Sequence, residues 1–81
     1  MEPMPQPDHA DAAGSMTVVV NGVPREIPAG STARDLVAAL GLEGRPLAVE
    51  LNEQVVPRSR LGDCRLGAGD RLEVVTLVGG G

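Results

Sequence analysis

The chain has 81 residues with eleven acids, seven arginines, no lysine and a formal charge of −4, enough for one small domain and too short to enclose a deep pocket between two lobes. A self-sufficient enzyme is therefore not expected. The acidic balance repels phosphate backbones, and the absence of Phe, Tyr and Trp removes base-stacking platforms, so no nucleic-acid partner is expected.

Residues 1–15, MEPMPQPDHADAAGS, hold three of the seven prolines, three acids, no base and no Leu, Val or Ile. That composition cannot bury apolar surface and predicts a disordered leader, with the domain starting at Met16. Met16, Val18 and Val20 then alternate with Thr17, Val19 and Asn21, the period of a strand with one face on a core. Asn21-Gly22 is a strong two-residue hairpin signal because both residues tolerate positive φ. The strand returning over Val23 to Ile27 contains Pro24, which confines it to an edge. Thr32 caps a helix in a capping-box pattern with Asp35, and Ala33, Leu36, Val37 and Leu40 form its apolar stripe. Gly41 stops it. Leu47, Val49 and Leu51 mark a third strand, and Gln54 to Val56 is a short segment that pairs locally. Residues 58–66 carry no clear period, Gly67-Ala68-Gly69-Asp70 is a turn, and a last strand runs from Arg71 to about Val78 before Gly79, Gly80 and Gly81.

A hairpin, one crossover helix and further strands give the order ββαββ, whose compact solution is a helix across one face of a mixed sheet of four to five strands. The expected class is α+β, the ubiquitin-like β-grasp, over residues 16–78 with a flexible glycine tail at 79–81.

Several segments carry a more specific pattern: the short first strand with its NG, TARDLVAALG, LAVELNEQVVPRSRL, GAGDRLEVV and the terminal VGGG. Together they resemble the ThiS sulfur carriers of thiamine biosynthesis over Met16 to Gly81. The resemblance implies a carrier, not an enzyme, that binds no cofactor itself. Its terminal glycine would be adenylated with ATP by an E1-like adenylyltransferase of the ThiF type and converted to a thiocarboxylate. Sulfur would come from a donor such as a cysteine desulfurase, and a ThiG-type thiazole synthase would consume it. Three glycines stand where two are usual, so the activated residue is Gly81, or Gly80 after trimming. Gly79 and Gly80 would thread the partners' active sites, a role suited to a backbone without Cβ.

Alternation on the last strand puts Leu72 and Val74 on the core and Val75 and Leu77 on the opposite face, where they would form a docking patch beside the tail. The alternative is a strand buried on both faces by residues 57–66. Arg58, with Arg60 and Arg65, forms the densest basic group, able to meet an acidic partner surface or simply to keep a loop soluble. Cys64 is the only cysteine, which rules out an internal disulfide; a bystander thiol is favoured over a persulfide relay. His9 has no second histidine or thiolate cluster to share a metal, so no metal site is expected. Glu50 and Glu53, three apart on a strand, should point to opposite faces and not act as an acid/base pair. No apolar run approaches the roughly 20 residues of a membrane span and no signal-peptide pattern opens the chain, so a cytoplasmic protein without membrane contact is expected. Three function classes remain: the sulfur carrier, with the thiazole pathway ahead of the molybdopterin pathway, a ubiquitin-like protein modifier, and a regulatory or RNA-associated β-grasp module. Acidity and the missing aromatics disfavour the last.

Overall fold

A computed structural model of the chain describes residues 14–77. The elements in order are β1 (Ser15–Val20), β2 (Val23–Pro28), α1 (Ala33–Ala39), β3 (Leu47–Leu51), β4 (Gln54–Val56), a 3-10 helix (Arg58–Asp63) and β5 (Arg71–Thr76). They build one mixed sheet in the order β2-β1-β5-β3-β4, with β1 and β5 parallel and the other pairs antiparallel. This is the expected β-grasp, an α+β fold with one main helix on a five-stranded sheet.

The local chemistry explains the elements. Asn21 and Gly22 both take positive φ, 51° and 83°, so the β1–β2 hairpin closes through the two-residue turn whose twist matches its strands. β2 lies at the sheet edge, as Pro24 requires. The Thr32 side chain accepts from the Asp35 N–H at 3.1 Å and the Thr32 N–H donates to the Asp35 carboxylate at 2.9 Å, the reciprocal capping box. Ala33, Leu36 and Val37 are buried, whereas Leu40, at the C-cap, is only partly so. The β3–β4 turn is built from Asn52 and Glu53 at φ 50° and 71°, a left-handed pair achieved without glycine. Residues 58–63, without a sequence period, form the 3-10 helix, which buries Leu61 and packs against α1.

The core joins Val18, Val20 and Ile27 from the hairpin, Ala33, Leu36 and Val37 from α1, and Val49, Leu61, Leu66, Leu72 and Val74 from the remainder. Every member is aliphatic, so no ring supplies the bulk of this core. Leu36, Leu72, Val18 and Val49 are its largest fully buried side chains. Burial of a Leu or Val side chain contributes about 1.5–3 kcal/mol. Both helices lie on one face of the sheet and leave the other open.

Three strand boundaries differ from the sequence reading, β2 extending one residue past Ile27 to Pro28. β1 begins at Ser15, one residue ahead of Met16, because Ser15 pairs with Pro28 and its hydroxyl donates to Glu26 at 2.8 Å. The Ala29 N–H reaches back to the Gly14 carbonyl at 3.0 Å as well. The leader expected over residues 1–15 otherwise lies outside the described residues. β5 ends at Thr76, short of the expected Val78, which with the tail glycines is also outside them. Among the described residues no helix is long and apolar enough to cross a membrane.

Candidate functional site

The candidate site is the root of the C-terminal tail, where β5 leaves the sheet. β5 is central, and it is held on both sides beyond the ends of its neighbouring strands. Toward β1, the Asn21 N–H donates to the Leu72 carbonyl at 2.9 Å. The Asn21 side-chain amide then substitutes for the next peptide: its Nδ2 donates to the Val74 carbonyl at 3.0 Å, and the Val74 N–H donates to its Oδ1 at 2.7 Å. The parallel ladder therefore continues one step after β1 has turned away. Toward β3, the Leu77 N–H donates to the Pro46 carbonyl at 3.0 Å.

The start of β5 is fixed in a similar way. The Asn52 N–H donates to the Arg71 carbonyl at 2.7 Å and the Arg71 N–H donates to Asn52 Oδ1 at 3.0 Å. Asn52 Nδ2 donates to Asp70 Oδ1 at 3.1 Å, and the other Asp70 oxygen accepts from the Gly67 N–H at 2.7 Å, closing the 67–70 turn. Gly69, at φ 85°, donates its N–H to the Thr17 carbonyl at 2.8 Å. Asn21, Asn52 and Asp70 thus orient the strand that carries the tail. The sequence reading used Asn21 only as a turn residue and assigned Asn52 and Asp70 no such role. The shared signal is an asparagine in a two-residue turn, whose amide can mimic a peptide group.

Val75 and Leu77 are each 53% exposed, on the open face of the sheet or just beyond its edge. The alternative of burial by residues 57–66 fails because that segment packs with α1 on the other face. Arg58 is exposed, and its Nη1 donates to the Arg45 carbonyl at 3.2 Å, one residue before the Pro46 carbonyl that holds Leu77. It therefore braces the same end of the sheet. Of the other two arginines in that basic group, Arg60 faces Asp63 at 3.8 Å, and the backbone of Arg65 bridges to that of Thr32. Gly79, Gly80 and Gly81 lie outside the described residues.

Cys64 is half-buried beside a hollow lined by Val55, Val56, Pro57, Arg60 and Asp63. Arg60, the cation lining that hollow, faces Asp63 at 3.8 Å. The expectation for Glu50 and Glu53 is corrected. The turn at Asn52–Glu53 interrupts strand alternation, and both glutamates line one hollow on the open face together with Glu73.

A helix laid across one face of a five-stranded mixed sheet, with its last strand central and leading to a glycine terminus, defines the class of small ubiquitin-like β-grasp domains. The model of the ThiS family matches residues 18–81, a span that includes the glycine run. The chain belongs to the ThiS family. Its similarity extends to the sulfur carrier protein ThiS of Thermus thermophilus, 38% identical over 64 residues, covering 79% of this chain and 98% of that one. It is also 39% identical over 66 residues to the thiazole synthase of Paramagnetospirillum magneticum, covering 82% of this chain but only 20% of that protein's length. A crystal structure of the thiamine biosynthesis protein ThiS from Geobacter metallireducens superposes with a TM-score of 0.70 at 29% identity, over 82% of this chain and 100% of that one.

Proposed function

We propose that this protein is a sulfur carrier for thiamine biosynthesis and that its terminal glycine carboxylate is the sulfur-bearing group. The observation that carries this reading is the family match running through the glycine terminus, set behind a central strand braced on both sides by hydrogen bonds. In the first step a carboxylate oxygen of Gly81, or of Gly80 after trimming, attacks the α-phosphorus of ATP in the site of an E1-like adenylyltransferase. Pyrophosphate leaves, and the mixed anhydride makes the glycine carbonyl electrophilic. A persulfide on a donor such as a cysteine desulfurase displaces AMP to give an acyl disulfide, and attack of a second thiol on its donor-side sulfur releases the thiocarboxylate and leaves a disulfide on the donor side.

The carrier contributes the acyl group and its presentation, while its partners contribute the catalysis. Glycines 79 and 80 have no Cβ to obstruct a narrow channel. Val75 and Leu77 offer apolar surface next to that tail, and Arg58 holds the Arg45–Pro46 segment beneath it. A ThiG-type thiazole synthase is the acceptor in this reading. The similarity of this chain to a stretch of a thiazole synthase supports that pairing.

The test is pyrophosphate exchange into ATP, catalysed by the adenylyltransferase in the presence of this protein. Exchange is expected with the full chain and absent with a chain lacking Gly80 and Gly81. Exchange that persists without the two glycines would refute the assignment.

A further inference from the structure

The open face of the sheet carries a charge arrangement that the fold itself does not require. β3 and β5 set Glu50 and Glu73 directly opposite each other, and directly opposed like charges destabilise a sheet. Glu53 joins them around a hollow of about 290 Å³ whose lining also includes Val19 and Arg71. Arg71 is the only cation in that lining, and it faces Glu53 at 3.9 Å. No described basic side chain forms an ion pair with Glu50 or Glu73. Among the described residues no three His, Cys, Asp or Glu side chains converge on a metal position, so the hollow is not shaped for a metal ion.

Apolar side chains continue from the acids toward the tail. Val55 lies across from Glu50, and Ala48 lies across from Val75, so all four share the face. Val55 is 69% exposed, and Val75 and Leu77 follow Glu73 at two-residue intervals toward the terminus. At a rise of about 3.3 Å per residue, a group anchored at Glu73 sits about 13 Å from Leu77, within the reach of one protein interface.

We propose that this face docks onto a thiazole synthase-type partner that inserts an arginine between Glu50 and Glu73 and lays an apolar side chain over Ala48, Val75 and Leu77. The inference rests on the carrier reading above and names the surface by which that partner is selected. Arginine fits better than lysine because its planar fork can donate to two carboxylates at once. The repulsion between the two glutamates costs stability in the free carrier and is relieved on docking, so the pair favours the complex over the free state. The choice of thiazole synthase follows from its likeness to this chain over part of its own length.

The experiment measures binding of the unloaded carrier to a thiazole synthase at low and at physiological salt, comparing the wild type, Glu50→Gln/Glu73→Gln and the off-face control Glu43→Gln. The double variant is expected to lose about tenfold in affinity at low salt and most of the salt dependence, because charge complementarity acts through steering and screened attraction. Its urea midpoint should stay level or rise. Glu43→Gln should bind as the wild type does. Unchanged binding of the double variant, an equal loss with Glu43→Gln, or a loss confined to the adenylyltransferase or to self-association would overturn the proposal. Pyrophosphate exchange by the wild type scores the carrier reading separately, so the two failures are distinguishable.

Discussion

Replacing Asn21 by glycine isolates what its side chain does for β5. Glycine accepts the φ of 51° at this turn, so the backbone keeps its conformation and only the amide is lost. The Val74 N–H and carbonyl then lose their partners, in a residue only 6% exposed. An intramolecular hydrogen bond contributes about 0.5–1.5 kcal/mol net, and a buried group left unpaired costs about 1–3 kcal/mol, so the pair is worth about 2 kcal/mol once partial access of water is allowed. Asn52→Gly is the matched comparison, with φ 50° and two side-chain hydrogen bonds that are exposed. It should cost about 1 kcal/mol or less, because water replaces the lost partners. Without aromatic residues the readout is urea denaturation followed by far-ultraviolet circular dichroism. In a domain this small, 1 kcal/mol corresponds to a shift of about 4–8 °C in Tm. If Asn21→Gly costs no more than Asn52→Gly, the amide does not hold the tail-bearing strand.

Further substitutions test the rest of the fold. Leu36→Ala empties a position 1% exposed and should cost about 2–5 kcal/mol, read as a lowered urea midpoint; an unchanged midpoint would misplace the helix face. Glu53→Gly relieves a left-handed backbone at φ 71° and gives up an exposed ion pair at 3.9 Å, so it should stabilise the chain by about 0.5–1 kcal/mol. A lower midpoint would show that Glu53 holds the turn through its side chain. Cys64→Ser should still accept sulfur at the wild-type level, measured as the yield of loaded protein; loss of loading in a folded variant would make the thiol a participant.

The fold was legible where one local rule governs a segment. The capping box at Thr32 and Asp35, the hairpin at Asn21-Gly22 and the alternation of Val18 with Val20 each depend on a few neighbouring residues, and each forms as expected. That Val75 and Leu77 lie opposite the core followed from period two, but that their face is open did not, because residues 57–66 could equally have covered it. What was not legible depends on residues distant in sequence. Asn21 meets Val74 only because β5 enters parallel to β1, and no local pattern encodes that contact. Glu50 and Glu53 share a hollow because a glycine-free turn reverses the chain between them, whereas an uninterrupted strand would have parted them. The 3-10 helix after Pro57 has a single buried anchor, Leu61, too little for a periodic signal.

The most direct test of the account is intact-mass analysis after incubation with an E1-like adenylyltransferase, ATP and a sulfur donor. The full chain should gain the mass difference of one oxygen replaced by one sulfur, and fragmentation should place it on the terminal glycine. A chain lacking Gly80 and Gly81 should fold normally and gain nothing. Sulfur found on the truncated chain, or mapped to Cys64 in the full one, would contradict a carrier that works through its terminal carboxylate.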